Sequence, residues 1–519
     1  MMDEPVPAAS LAETNNWRTL SPIAILYFSA RAIVGIASTL IYMIPILFIN
    51  LDEILAQPSK IIAVIGALLT IILLFAALTF YFYRFRVGAE RIEIKQGILR
   101  KAHLDISFSR IQNVKIEQPI YYRPFAYACV ELDTAGSHKQ EGRIVAVTLE
   151  QAEALRKKIL KYKAQNDDED SADTFAQPKD VYDNERLLNT RSLSDLVIHG
   201  VANNRVWIIL GGLAPFFQSI FEAISDKLMS GGIDIAAYFS YQSLAWWQFA
   251  LNVVSLTLLL MLIVVSLSII GSIVVYYNFR LSRSETRYIR RSGLLTKQEV
   301  SLNLSRLQML VREQDWLDGL LGRVNLRLQQ NTSMGMSSSG ANAQAVNRII
   351  VPSVTKQEAQ AIIDDAFESQ NLSSINMQAI SKRFITRNLI LMVLPLSSLF
   401  IGLGWYHDSI TWHTLAGAFL LLSSSLLVLR WKRWGWAYDE EFVYVRKGLF
   451  GVDYYCFPIH KIQQVQFMQS LFMRRYQRAN IRFVLASGGI KVPFIPALEA
   501  QKITDYALFK VEKDKQPWM

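Results

Sequence analysis

Apolar positions gather along this chain in five long stretches, 32–49, 61–83, 251–277, 389–405 and 412–429. Each approaches the roughly 20 residues that an apolar helix needs to cross a bilayer. A sixth stretch, 206–224, is broken by Pro215, Gln218 and Glu222. It is kept as a span because the six then form three pairs, each followed by a polar segment. In those polar segments the period shortens to two, as in Arg91-Ile92-Glu93-Ile94-Lys95 and Val324-Asn325-Leu326-Arg327-Leu328. That alternation predicts half-buried antiparallel strands. The expectation is a membrane protein with about six transmembrane helices in three pairs and three β-rich soluble domains.

The soluble segments are repeats of one another. Gly97-Ile98-Leu99, Gly293-Leu294-Leu295 and Gly448-Leu449-Phe450 each precede a basic-apolar-glutamine triplet by 13 residues: Arg110-Ile111-Gln112, Arg306-Leu307-Gln308 and Lys461-Ile462-Gln463. Eight residues past each basic anchor stands a further glutamine, Gln118, Gln314 or Gln469. Apolar positions then agree again at Phe125, Ala128 and Val130, at Leu321, Val324 and Leu326, and at Tyr476, Ala479 and Ile481. The glycines mark hairpin turns. Thr148 with Gln151, Thr355 with Glu358, and Pro496 before Glu499 signal a closing helix in each repeat. The predicted organisation is an interfacial segment and first span pair at 17–83, a domain at 84–163, an acidic linker at 164–190 and a second pair at 191–277. A second domain follows at 278–370 with a disordered loop at 331–347, then a third pair at 382–429 and a third domain at 430–519.

Charge settles the expected orientation. The formal net charge is +10, and the basic residues crowd behind the second span of each pair, at Arg84, Arg86 and Arg91, at Arg280, Arg283 and Arg287, and at Arg430, Lys432 and Arg433. The linkers inside the pairs carry Asp52 and Glu53, Asp226 and Asp234, and Asp408. By the positive-inside rule the domains and both termini face the cytoplasm of a multi-pass cell-membrane protein. Membrane topology accounts for the basic excess, so no nucleic acid partner is expected. The N-terminal residues are acidic and polar, unlike a cleavable signal peptide. The segments Arg18-Thr19-Leu20-Ser21-Pro22 and Arg191-Ser192-Leu193-Ser194-Asp195 resemble each other and suit interfacial helices, which would leave Arg31 at the membrane surface with its head in water. Trp431, Trp434 and Trp436 suit an interfacial aromatic belt.

Candidate chemistry is sparse. No phosphate loop, nucleophile elbow or zinc-protease helix occurs, Cys129 and Cys456 lack metal spacing, and His407 and His413 are six residues apart. No enzyme, cofactor or metal site is expected. The candidate binding or structural anchors are Arg110, Gln112, Arg306, Gln308, Lys461 and Gln463. The structural reading, a long basic side chain bonding inside the barrel, is preferred over a groove for a carboxylate or phosphate. The pairs Arg100-Lys101, Arg290-Arg291 and Arg446-Lys447 beside the first hairpins are candidates for anionic lipid.

The two-span plus β-domain unit, the glycine turn, the R-[IL]-Q triplet and the closing helix resemble the bacterial pleckstrin-homology-like (PH-like) domain membrane proteins of the YdbS/YdbT type, over nearly the full chain. Lys461 departs from the arginine of the pattern, as does the Ser/Gly/Asn-rich stretch 331–347. The resemblance implies a seven-stranded, partly open barrel with a C-terminal helix and no catalytic residues to carry over. It also implies a smaller single-unit membrane relative as partner, and a role in envelope stress or antimicrobial-peptide resistance. The expected function is a non-enzymatic scaffold whose three domains bind a partner protein or lipid head groups; the alternative is a component of a peptide or lipid transporter.

Overall fold

The computed structural model describes residues 17–40, 58–98, 101–134, 142–167, 185–203, 229, 245–330 and 348–514. The weak span 206–224, the loop 331–347 and most of the acidic linker lie outside the described residues, as does the second half of the stretch 32–49. Among the described residues four helices are long and apolar enough to cross a membrane: Pro58–Phe82, Trp246–Tyr276, Arg383–Tyr406 and Ile410–Arg433. Arg383–Tyr406 contains a wide turn at Leu389–Val393, just ahead of Pro395, whose ring cannot continue the regular hydrogen-bond ladder. The helix Ala24–Leu40 begins earlier than the apolar run suggested, and the Arg31 guanidinium donates to the Tyr27 hydroxyl at 3.4 Å.

Each repeat supplies seven strands. The first has β1 (Arg18–Thr19), β2 (Arg84–Val87), β3 (Arg91–Gln96), β4 (Ala102–Ser107), β5 (Ile111–Pro119), β6 (Tyr127–Thr134) and β7 (Gly142–Thr148). The second has β8 (Arg186–Thr190), β9 (Arg280–Ser284), β10 (Arg287–Ser292), β11 (Thr296–Asn303), β12 (Met309–Gln314), β13 (Arg323–Gln329) and β14 (Arg348–Thr355). The third has β15 (Gln378–Ala379), β16 (Gly435–Tyr438), β17 (Phe442–Lys447), β18 (Val452–Pro458), β19 (Ile462–Met468), β20 (Arg478–Leu485) and β21 (Gly488–Pro496). The helices Leu149–Asp167, Lys356–Ala366 and Ala497–Asp514 close the repeats. Reciprocal capping boxes start the first two, Thr148 with Gln151 and Thr355 with Glu358.

The pre-span segments correct one expectation. Arg18 and Thr19 pair with Phe85 and Arg84, and Asn189 pairs with Leu281. The first segment thus opens as an edge strand and its helix starts only at Ala24, whereas the edge strand Arg186–Thr190 precedes the second segment and a helix starts inside it, at Leu193. In each repeat the strand before the apolar segment meets the strand after it: β1 pairs with β2, β8 with β9 and β15 with β16.

The chain forms two compact units. The first comprises Met1–Lys179, Leu196–Asn278 and Arg291–Glu299; the second comprises Asp180–Asp195, Phe279–Arg290 and Val300–Met519. In the first, β1-β2-β3-β4 form one sheet, and β7-β6-β5 form another that Thr296–Glu299 of β11 extend. Ile92, Ile94, Phe108, Ile111, Tyr122, Leu132 and Ile144 fill the core between them. Helix Leu193–Ala202 packs on Trp246–Tyr276 through Gly200, with the Ser268 hydroxyl on the Gly200 carbonyl at 2.6 Å and the Ser272 hydroxyl on the Leu196 carbonyl at 2.8 Å. In the second unit one sheet runs β14-β13-β12-β18-β17-β16-β15, and β19-β20-β21 form another. Trp434 and Trp436 lie in its core with Val445, Phe457 and Phe483, not in an interfacial belt. They flank the start of a strand whose inward face takes them, a placement set by the sheet and not by nearness to the last span.

Candidate functional site

The basic anchors occupy one structural position. Each ends a single turn of 3-10 helix, Phe108–Arg110, Leu304–Arg306 or Ile459–Lys461, that carries the chain from the fourth strand of its repeat to the fifth. The residue after the anchor returns its N–H to the first carbonyl of the turn in all three cases. The environments then diverge: Arg110 is exposed, Arg306 half-buried and Lys461 buried. Gln112 is the second residue of β5, Gln308 is buried with its backbone N–H on the Gln329 carbonyl at 2.9 Å, and Gln463 is exposed.

The second recurrent glutamine has one role throughout. The side-chain amides of Gln118, Gln314 and Gln469 donate to the carbonyls of Tyr127, Arg323 and Arg478 at 3.2, 3.2 and 2.9 Å. Each clamps a loop whose last residue, Ala126, Gly322 or Gln477, has φ of 53°, 66° or 51°. That left-handed backbone costs a non-glycine residue roughly 1 kcal/mol, which the clamp offsets. A second left-handed position recurs at Ala146, Ser353 and Phe494. The backbone N–H of Ser353 and Phe494 is taken by the side-chain carbonyl of Asn325 and Asn480 at 2.8 and 3.0 Å. Cys129 stands at the matching place in the first repeat, bonded to Ala146, and burial pushes its thiol up to about 12. That cysteine is a core residue, not a nucleophile.

The most elaborate polar chemistry lies where one repeat's fifth strand meets the next repeat's fourth. Lys297 faces Gln118 across β11 and β5, and Val452, its counterpart, faces Gln314, the counterpart of Gln118, across β18 and β12. Both junctions therefore share one register. At the first, Arg123 donates to the Gly293 carbonyl at 3.4 Å, and Glu299 holds Arg156 and Arg291, the latter at 3.0 Å. Burial opposes ionisation of Glu299, but the two guanidiniums keep its carboxyl below the usual range. At the second, the Lys461 ammonium donates to the Ser305 carbonyl at 2.6 Å, and Arg312 lies over the Tyr454 ring at 4.2 Å. A Cβ on Gly451 would meet the Gln314 carbonyl at 2.6 Å, so only glycine admits this approach. Met309 and Val311 of β12 enter the core of the third repeat.

Sequence reasoning found the anchors but missed the partners Glu299, Arg123 and Gly451. The one local signal was a second glycine three residues past Gly448. Of the basic pairs, Arg291 is held by Glu299, Arg446 donates to the Arg433 carbonyl at 3.2 Å, and Lys447 lies over the Tyr455 ring at 4.3 Å. Lys101 is exposed, and Arg100 lies outside the described residues. No cluster of His, Cys, Asp and Glu able to hold a metal occurs among the described residues.

A model of the bacterial PH domain matches the chain three times, at residues 32–163, 235–368 and 390–508, together more than half its length. The UPF0699 transmembrane protein YdbT of Bacillus subtilis (strain 168) is 20% identical over 405 residues, which cover 76% of this chain and 77% of that protein. No solved structure matches the chain.

Proposed function

This chain belongs to the bacterial PH domain family, and on that footing we propose that it is a non-catalytic scaffold of the cell membrane. In this reading its three PH-like domains face the cytoplasm and bind a partner protein or lipid head groups. The observation that carries the reading is where the recurrent polar side chains are spent. The glutamines clamp loops and Lys461 bonds the third repeat to the second, so these recurrent polar side chains hold β-domains together and do not form a reaction centre. The basic residues behind the spans support the cytoplasmic placement of the domains and both termini. The resemblance supports a setting in envelope stress or antimicrobial-peptide resistance, with a smaller single-unit membrane relative as one partner.

The test is in-cell crosslinking, mild-detergent purification from native membranes, and mass spectrometry of the proteins and lipids retained. A stoichiometric protein partner or one retained lipid class supports the scaffold. Substrate flux by the purified protein alone, or a catalytic activity lost on one point substitution, overturns it. Reporters fused after Asp52 and after Gly340 should read the outer and cytoplasmic sides respectively; the reverse pattern overturns the orientation.

A further inference from the structure

The internal junctions consume two kinds of strand edge, the fourth strand of a following repeat and the fifth strand of a preceding one. Among the described residues one edge of each kind is left without a partner strand: β4 is the last strand of β1-β2-β3-β4, and β19 is the first of β19-β20-β21. We propose that a second copy of this chain fills them, β4 of one copy adding antiparallel to β19 of another in the register of the internal junctions. This deepens the scaffold reading by naming what holds the two ends, and it rests on that reading only in treating the β-domains as binding surfaces.

The register follows from the repeat. Glu299 faces Ile116 at one junction, and its counterpart Tyr454 faces Arg312 at the other. The corresponding residues of the open ends are His103 and Phe467, both exposed. Other halves of the junction are also present. Arg474 is the counterpart of Arg123, whose guanidinium reaches the Gly293 carbonyl; it is exposed at the tail, and Gly97, the counterpart of Gly293, stands at the head. Arg110 is the counterpart of Lys461, which reaches the preceding repeat's 3-10 turn, and Arg110 is exposed at the head. Beside β19 the helix Leu471–Arg475 leaves Leu471 85% and Phe472 80% exposed. The tail edge is polar, with Gln464 and Gln466 where β5 has Asn113 and Lys115, so it matches the first junction, which is made between polar strands. Exposed edges of this kind invite strand addition, and a contact between two different patches of identical chains propagates head to tail.

The experiment uses two differently tagged full-length copies in native membranes, one carrying His103→Cys and the other Phe467→Cys, treated with a short bifunctional methanethiosulfonate. The native Cys129 and Cys456 are buried. The expected result is a mixed dimer carrying both tags, reduced to background when Gln463→Cys replaces Phe467→Cys or when Arg474→Glu is added. The proposal is overturned by a link that forms only inside a chain bearing both cysteines, by an equal yield from the Gln463→Cys control, or by no link when both copies reach the membrane at normal levels. Capture of a different protein at Phe467→Cys, without the mixed dimer, also overturns it while leaving the scaffold reading standing. A mixed dimer that retains no further protein or lipid upholds it and sinks the scaffold reading instead.

Discussion

The ammonium of Lys461 donates to the backbone carbonyl of Ser305 at 2.6 Å, tying the corner of the third repeat to the corner of the second. Lys461 is buried, and desolvation pulls its pKa below the ordinary lysine value. A lysine kept charged in such a place is held by what it bonds to.

Lys461→Ala is therefore expected to destabilise the protein by about 1–3 kcal/mol, because the ammonium bond is lost and the Ser305 carbonyl must find water. Lys461→Arg, which keeps a donor of similar reach, should recover most of it. Thermal unfolding of the detergent-solubilised protein reads both, and a Lys461→Ala protein that melts with the wild type would show the bond contributes nothing.

Much of this architecture was legible in the sequence because repetition amplifies weak signals. The glycine turn, the anchor triplet and the clamp glutamine recur at fixed spacing, and each occupies one structural position in all three repeats. The pairing between repeats was not legible. Glu299 bonding Arg156, or β12 pairing with β18, joins residues far apart in the chain, and no local periodicity encodes which edge meets which. The two-residue strands Arg18–Thr19 and Gln378–Ala379 escaped for another reason: they are too short to show alternation and exist only because their partners are adjacent.

Gly200 gives a prediction about the helix pair of the first unit. A Cβ there would lie 2.5 Å from the Ile269 Cα, a backbone atom that cannot rotate aside. Gly200→Ala should force the helices apart, strain the Ser268 bond, and cost roughly 1–3 kcal/mol by overpacking. Gly271, with open space around it, is the control, and Gly271→Ala should be near neutral. Equal effects on membrane yield and melting temperature would refute the close approach.

Arg191 and Glu358 predict an acid limb. Arg191 is 3% exposed in its side chain and binds Glu358 at 2.6 Å; burial raises the Glu358 carboxyl, but Arg191 and the Thr355 cap outweigh it and hold the pKa at about 2. A carboxylate lowered on folding contributes stability that is complete above its unfolded value of 4.5 and is lost as pH falls toward 2. The carboxylate is partly exposed, so solvent screening limits this to about 1 kcal/mol. Glu358→Gln should flatten the stability profile between those pH values, and an unchanged slope would mean that the pair does not couple to folding.

Asp453 predicts the opposite slope. It sits opposite Glu313 across the β12–β18 junction and opposite Lys447 across β17–β18. Burial and then repulsion from Glu313 outweigh the attraction of Lys447, and the carboxyl is pushed up to about 6 from 3.8. A carboxyl raised on folding favours the folded state below its unfolded value and withdraws that support as pH rises through about 6. At neutral pH the junction therefore carries a charge that opposes it. Asp453→Asn removes that charge with little change of shape, and should stabilise the protein at pH 7.5 by roughly 1 kcal/mol after solvent screening, with no gain at pH 4. Melting temperatures of wild type and variant across that range decide it: curves that meet near pH 4, separate as pH rises to about 6 and stay apart above it support the assignment. A constant offset would instead trace the change to packing, and the junction would have no acid sensitivity of its own.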